Sequence, residues 1–337
     1  MAGPYCAMLL ADMGARVIKV EPPRGDSTRA MAGGHDGESA AYNAVHRGKQ
    51  GVVLDLTRDD AREAARRLVE TADVLVENFR PGVMAKLGLD YATLSARHPR
   101  LVYASISGYG QTGPWATKGG FDLVAQGVTG IMSVTGEPGR PPAKAGIPVT
   151  DLGAGLFALS GILAALFARE RTGRGQHIDT ALADAGLAMS VWETTDYFAG
   201  RGVPGPLGSA HRLAAPYQAV RCADGYVTIG AANQRNFEKV CGVLGHAEWA
   251  ADARFATDTD RVAHREALTG AIEAGTATGG CAHWLERLEA AGVPCGPILD
   301  YAAALDTPQA HARGMVVEMD HPALGRVKTI GTPIKMS

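Results

Sequence analysis

Residues Leu152 to Ala168 form a 17-residue run without a charge, entered from Asp151 and closed by Arg169-Glu-Arg-Thr-Gly-Arg-Gly175. The run predicts a helix with Thr150 or Asp151 as N-cap, Arg169 and Arg171 in the last turn, and Gly173 as the C-terminal stop. It is at the short limit for a membrane span, contains Gly153, Gly155 and Gly161, and starts on an acid, so a buried core helix is expected. A carboxylate at such a start faces the positive end of the helix dipole and several unpaired amides. Both favour its ionised form. Asp151 therefore has two readings: the cap of a core helix, or a nucleophilic carboxylate of the kind that forms acyl- or phosphoryl-aspartate.

The 337-residue chain can hold two domains or one large one, and 46% hydrophobic with 20% charged residues fits a soluble globular protein. A net charge of −2 gives no reason to expect nucleic acid or an anionic membrane as partner. Cys6, Cys222, Cys241, Cys281 and Cys295 are odd in number and scattered, with no C-x-x-C spacing. Neither a zinc site nor a disulfide framework is suggested, and reduced thiols in a cytoplasmic protein are expected. The ten histidines include no H-E-x-x-H spacing, and no secretory signal pattern is present, so neither a metal nor export is expected.

Along the chain, Pro4 to Gly14 predicts a short helix and Ala15 to Val20 a strand. Gly51–Leu56, Asp73–Glu77 and Arg100–Ile106 are further strands, with a charged amphipathic helix over Arg58–Thr71. This alternation predicts a parallel sheet with helices on its faces. Three turn-rich loops follow strands: Glu21–Arg29, Glu77–Gly82 and Ser107–Pro114. In doubly wound sheets such loops are where ligands bind. Gly119–Gly127 resumes helical spacing, Gln176–Ala181 is a strand, and Leu182–Tyr197 a helix. A Gly/Pro-rich break over Gly200–Gly208 leads to a hairpin, Tyr217–Val220 with Tyr226–Gly230, and then to a mainly helical stretch from Asn236 to Gly292, a candidate second domain. Val316–Asp320 and Arg326–Ile330 are short strands around Pro322 and Gly325.

The third loop holds Gly108-x-Gly110-x-x-Gly113, which matches the dinucleotide fingerprint and does follow a strand. Pro114 and Trp115 come next and no helix opens on the glycines, so a pyrophosphate would lack its helix terminus. Nicotinamide binding is not supported.

Taken together, Ala2-Gly-Pro-Tyr-Cys6, Gly14-Ala-Arg-Val-Ile-Lys-Val-Glu-Pro22, Glu77-Asn-Phe-Arg-Pro-Gly82, Gly108-Tyr-Gly-Gln-Thr-Gly-Pro114, Thr150-Asp-Leu152 and Arg171-Thr-Gly-Arg-Gly-Gln176 resemble the class III CoA-transferases, the CaiB/BaiF type. The resemblance covers essentially the whole chain. It implies an α/β fold, with a Rossmann-like large domain (1–199), a smaller α+β domain (200–305) and a return segment (306–337), built into an interlocked homodimer. It implies Asp151 as the nucleophile. It implies coenzyme A, met as a thioester substrate and not as a resident cofactor, lying on the large domain against Leu54, Asp55, Leu56 and Thr57, the turn of Asn78, Phe79 and Arg80, Lys86, and Gly119, Gly120, Phe121 and Asp122. The family usually has a strand and loop before the position of Ala2 and continues beyond that of Ser337, so a first strand and a C-terminal end are expected to be missing.

The implied chemistry is CoA transfer between carboxylic acids through an aspartyl mixed anhydride and an aspartyl-CoA thioester. Leu207-Gly-Ser-Ala-His211, Ala215-Pro-Tyr217 and Gly225–Gln234 resemble the branch that includes succinate–hydroxymethylglutarate CoA-transferase. That implies succinyl-CoA or another dicarboxyl-CoA as donor, with His211 or Arg212 for the second carboxylate. The related 2-methylacyl-CoA racemases carry a His base in the Gly-x-Asp segment at 120–122; here Phe121 stands there and cannot titrate. A truncated, non-catalytic CoA binder is the remaining alternative.

Overall fold

The computed structural model describes residues 1–31, 39–321 and 324–337. The chain divides into two compact units: Met1–Ser133 with Lys144–Phe198 and Pro308–Ser337, and Val134–Ala143 with Ala199–Thr307.

The first unit opens on α1 (Ala2–Asp12), which stops before Gly14, a residue at φ +96°. Strands β1 (Val17–Glu21) and β2 (Lys49–Val53) pair in parallel, Val17 opposite Lys49. Sequence spacing carries the second strand to Leu56, but β2 ends at Val53. Beyond it the Leu54 N–H donates to the Glu21 carbonyl, and Asp55 folds the chain by accepting from the Thr57 N–H (3.1 Å) and hydroxyl (2.6 Å). Such an Asx turn competes directly with strand pairing. Helix α2 (Asp59–Glu70) follows, with Asp59 and Asp60 in its first turn.

A second parallel sheet has the order β3 (Val74–Glu77), β4 (Val102–Ser107), β5 (His177–Ala181). Every residue of β4 is buried, as befits a central strand covered on both faces. Val102, Ala104 and Ile106 join a core with α1, while Tyr103 joins a second cluster with Ala65, Leu89, Leu94 and Leu101.

Between β4 and β5 run α3 (Asp122–Val128) and α4 (Val149–Thr172), and α5 (Leu182–Met189) follows β5. One face of α4, with Gly155, Ala154, Ala158, Ile162 and Ala165, is buried. Small residues there allow close approach: a Cβ on Gly155 would stand 2.9 Å from the Ala2 carbonyl oxygen, and one on Gly161 3.0 Å from the Ile178 side chain. Gly173 ends α4 in the left-handed region (φ +70°). By length and composition α4 could cross a membrane; the face just described is instead packed in the core.

Two expectations differ from the structure. The N-cap of α4 is Pro148, not Thr150 or Asp151, so Asp151 is the third helical residue; Pro148 has no N–H to satisfy and is tolerated at a helix start. The helix expected over Leu182–Tyr197 is interrupted. The Ser190 hydroxyl donates to the Gly186 carbonyl (2.9 Å), α5 ends at Met189, and a separate short helix covers Thr194–Phe198. Later in this unit Val316–His321 and Gly325–Ile330 form an antiparallel hairpin; Pro322, expected at its turn, lies outside the described residues.

The second unit contains an antiparallel sheet of three strands in the order Tyr217–Arg221, Tyr226–Gly230, Cys295–Pro297. The third, three residues long and ending on Pro, carries no periodicity from which sequence reading could find it. Helices over Gln234–Leu244, Arg265–Thr276 and Cys281–Ala290 close a core around Val227, Phe237, Val240 and Ile272. Arg261 is only 1% exposed there. It donates to the carbonyls of Ala215 (2.7 Å) and Phe255 (3.0 Å) and to Gln234 Oε1 (2.8 Å).

Candidate active site

Asp151 lies where the starts of α1, α3 and α4 converge. Ala2 packs beside it: a Cβ on Gly155, one turn further along α4, would stand 2.9 Å from the Ala2 carbonyl oxygen. The first turn of α4 is capped from outside, by Asp122 at the start of α3. Asp122 Oδ1 accepts from the Thr150 N–H (2.9 Å), the Thr150 hydroxyl (2.8 Å) and the Asp151 N–H (3.4 Å). Asp122 Oδ2 accepts from the Gln126 side-chain amide (2.7 Å), and Gln126 Oε1 in turn accepts the Ala145 N–H (2.8 Å). Thr150 and Gln126 are fully buried, so these bonds are the means by which their polar groups are satisfied.

The electrostatics of Asp151 correct the sequence expectation. Burial pushes its pKa above the usual aspartate range; the nearby α-amino charge opposes this, and the like charge of Asp122 adds to it. Desolvation outweighs the helix start because Asp122 already takes the amides at that start. If Asp151 must be ionised to act, the acidic limb of the kcat/KM profile falls above the range of an exposed aspartate. Removing the neighbouring charge with Asp122→Asn moves that limb to lower pH, as a rate profile between acid and neutral pH would show.

The loops beside this centre are shaped by glycine contacts. A Cβ on Gly120 would stand 2.5 Å from the Gly108 Cα, so two backbones touch there, and one on Gly119 would stand 2.8 Å from Arg80 Nη2. The structure thus brings Arg80 to the Gly119 backbone, although the two are far apart in sequence. Gly110 and Gly113 hold positive φ, each +87°. All three glycines of the apparent dinucleotide fingerprint serve a turn or a backbone crossing, and the next helix opens only at Asp122. Phe121 is its N-cap residue and is 76% exposed.

Asn78 spends its side chain on protein: Oδ1 accepts the Gly3 N–H (3.1 Å) and Nδ2 donates to the Ile106 carbonyl (2.7 Å). The Phe79 ring is half exposed and its N–H donates to Glu77 Oε2 (2.8 Å). Lys86 is exposed on the short helix Val83–Leu87. Leu54 and Leu56 pack against the Leu94, Leu101 and Tyr103 cluster, while Asp55 and Thr57 make the turn described above. His211 and Arg212 belong to the second unit. There the His211 ring lies 5.0 Å from that of Tyr217 at a tilt of 54°, Arg212 Nη2 donates to the Gly205 carbonyl (2.6 Å), and Arg265 donates to the His211 carbonyl (2.5 Å). Among the described residues no group of three or more His, Cys, Asp or Glu could hold a metal ion.

Sequence reading missed Gln126 as part of this centre and read Thr150 only as a possible cap of the helix. Gln126 had a local signal, since it stands four residues after Asp122 on one helix face. The bonds from Thr150 to Asp122 had none, because the two residues come from distant segments.

A partly buried carboxylate in the first turn of a core helix suits covalent acyl chemistry on an α/β scaffold. Residues 1–337 match the family described as CoA-transferase family III. The chain is 41% identical to a succinate–glutarate CoA-transferase of Agrobacterium fabrum (strain C58 / ATCC 33970), over 100% of this chain and 86% of that protein. It is also 41% identical to an acetyl-CoA:oxalate CoA-transferase of Acetobacter aceti, over 99% of this chain and 85% of that one. A crystal structure of a CaiB/BaiF family protein from Brucella suis superposes with a TM-score of 0.86 at 42% identity, covering 100% of this chain and 89% of that chain. The chain belongs to CoA-transferase family III. It is an enzyme, a CoA-transferase of the EC 2.8.3 type, whose substrates are a CoA thioester and a carboxylic acid.

Proposed function

We propose that this enzyme transfers CoA through Asp151, with succinyl-CoA or another dicarboxyl-CoA as donor. The Asp151 carboxylate attacks the thioester carbonyl, the C–S bond breaks, and CoA thiolate leaves a mixed anhydride. The thiolate then attacks the aspartyl carbonyl of the anhydride, giving an aspartyl-CoA thioester and releasing the donor acid. An acceptor carboxylate runs the two steps in reverse. Each step exchanges acyl groups of similar energy, which is how covalent catalysis divides one difficult step. The observation that carries this reading is the placement of Asp151: half-buried in the first turn of α4, with Asp122 spent on capping and not competing as nucleophile.

CoA is proposed to lie on the large domain (1–199), against Leu54–Thr57, the turn of Asn78, Phe79 and Arg80, Lys86, and Gly119–Asp122. His211 or Arg212, in the smaller domain (200–305), is proposed to supply hydrogen bonds or charge to a second carboxylate, and 306–337 is proposed as a return segment of the large domain. The name of one relative, a succinate–glutarate CoA-transferase, supports a dicarboxyl donor, whereas the other pairs a dicarboxylate, oxalate, with acetyl-CoA. The test is trapping. Succinyl-CoA followed by hydroxylamine should leave a hydroxamate on the Asp151 peptide, seen by mass spectrometry and absent in Asp151→Ala. A protein that binds CoA yet gives no adduct with succinyl-CoA sinks this donor assignment.

The enzyme is further proposed to act as an interlocked homodimer in the cytoplasm. Leu156, Phe157, Leu163 and Phe167 on the outer side of α4, with Trp192 and Phe198 beyond α5, leave apolar side chains exposed. A second copy of the chain would cover them. All five cysteines are free, which fits a reducing compartment. Sedimentation at micromolar concentration should give a dimer, and Phe157→Glu with Leu163→Glu should dissociate or precipitate it. A wild-type monomer would refute the dimer.

A further inference from the structure

Helix α3 inverts the usual burial pattern. Leu123, Val124 and Val128 on it are exposed, while Gln126 is fully buried. A surface helix ordinarily turns its apolar side chains inward, and an amide withdrawn from water is unfavourable unless it is hydrogen-bonded. The Gln126 amide is bonded at both ends. Nε2 donates to Asp122 Oδ2 (2.7 Å), and Oε1 accepts the Ala145 N–H (2.8 Å). The two oxygens of Asp122 are thereby divided: Oδ2 on Gln126, and Oδ1 on the Thr150 N–H and hydroxyl at the start of α4. Gln126 also joins α3 to the segment that enters α4, so one side chain holds the cap against the helix it caps. A neutral amide can donate to Asp122 and accept from Ala145 at any pH, whereas a carboxylate of the same shape can only accept.

We infer that Gln126 is a positioning residue for the transfer: by holding Asp122 Oδ2 and the Ala145 N–H together, it keeps Asp122 Oδ1 on the first turn of α4, and so keeps Asp151 aimed at the thioester. The inference rests on Asp151 as nucleophile. It needs no contact between Gln126 and CoA. A displacement of about 1 Å can lower a rate about 100-fold, and Asp122 is the link through which Gln126 acts on Asp151.

The test is Gln126→Glu followed across pH, with Gln126→Leu and Asp151→Asn beside it. Gln126→Glu keeps the shape of the side chain. While the introduced carboxyl group is protonated, it can donate to Asp122 as the amide does. Once ionised it cannot, and it meets the like charge of Asp122 on its own helix and of Asp151 on α4. Helix α5, which meets the end of α3 where Gly186 abuts Thr129, carries Asp184, and the Lys144 ammonium lies on the Ala145 carbonyl (3.1 Å). Burial and the carboxylates favour the protonated form of the introduced group, so its donor is present in acid and lost as pH rises. The ratio of the variant's kcat to that of wild type should therefore approach one in acid and fall roughly 10- to 100-fold toward alkaline pH. Gln126→Leu, which can neither donate nor accept, should lose a similar factor at every pH. The Kd of CoA by calorimetry should change by no more than about twofold in both, since no ligand contact is lost. A kcat ratio independent of pH for Gln126→Glu overturns the inference, even where Gln126→Leu does not fold. A lowered melting temperature with kcat unchanged at the assay temperature overturns it too, and makes the amide a structural bond only. Weaker CoA binding with kcat retained overturns it by making Gln126 a ligand. An active Asp151→Asn control removes the nucleophile and this inference with it, whereas an inactive control leaves the nucleophile standing whatever the Gln126 variants do.

Discussion

Asparagine at position 151 is expected to cut CoA transfer by about 10⁴-fold or more, the scale seen when a covalent nucleophile is removed. The substitution is isosteric, so α4 and its capping by Asp122 should persist, and CoA should still bind. The amide cannot attack a thioester, and no hydroxamate should form. The same variant should be more stable than wild type at neutral pH. Burial raises the Asp151 pKa in the folded state above its unfolded value. Such a carboxyl group contributes stability that is fully present below the unfolded value and lost as pH rises through the folded one. At neutral pH the wild type therefore holds a charge the fold disfavours, and asparagine removes it. Melts of the two proteins should converge as the solution is acidified into the carboxylate range. A variant retaining more than about one per cent of the activity would refute the nucleophile, given the size of effect expected.

Asp122→Ala is expected to damage both stability and turnover. It strips the acceptor from the Thr150 N–H and hydroxyl, both of which belong to a fully buried residue, and from the Gln126 amide. A buried donor left unsatisfied costs about 1–3 kcal/mol, and loss of an N-cap alone costs about 0.5–2 kcal/mol. A net loss of about 3 kcal/mol should lower the melting temperature by roughly 5 °C or more. Turnover should fall at least tenfold, because the first turn of α4 carries Asp151. Asp122→Asn keeps an acceptor for Thr150 and should recover most of the stability. An alanine variant that melts like wild type would mean that water or another group caps α4 in solution.

These two residues also mark how far the sequence could be read. The run from Leu152, the αL glycine at 173, the strands around β4 and the hairpin in the second unit follow from periodicity and turn chemistry, which act over a few residues. Motif order carried the family, and with it the attention to Asp151 and to the Gly119–Asp122 segment. What local pattern missed has one cause. Pro148 could replace an expected cap because Asp122, 28 positions before Thr150, reaches the start of α4. The three-residue strand Cys295–Pro297 exists only because Tyr226–Gly230 offers it a free edge. Arg261 is buried because the Ala215 carbonyl and Gln234, both from distant segments, meet it along with nearby Asp258 and the Phe255 carbonyl. The Asp151 pKa moves upward, against the helix-start argument, because neighbours that withdraw it from water arrive from elsewhere in the chain. By itself, then, the sequence determined the elements, the family and the carboxylate at the centre. Only the tertiary structure decided which groups cap, desolvate and orient that carboxylate, because those terms depend on distance in space and not on spacing along the chain.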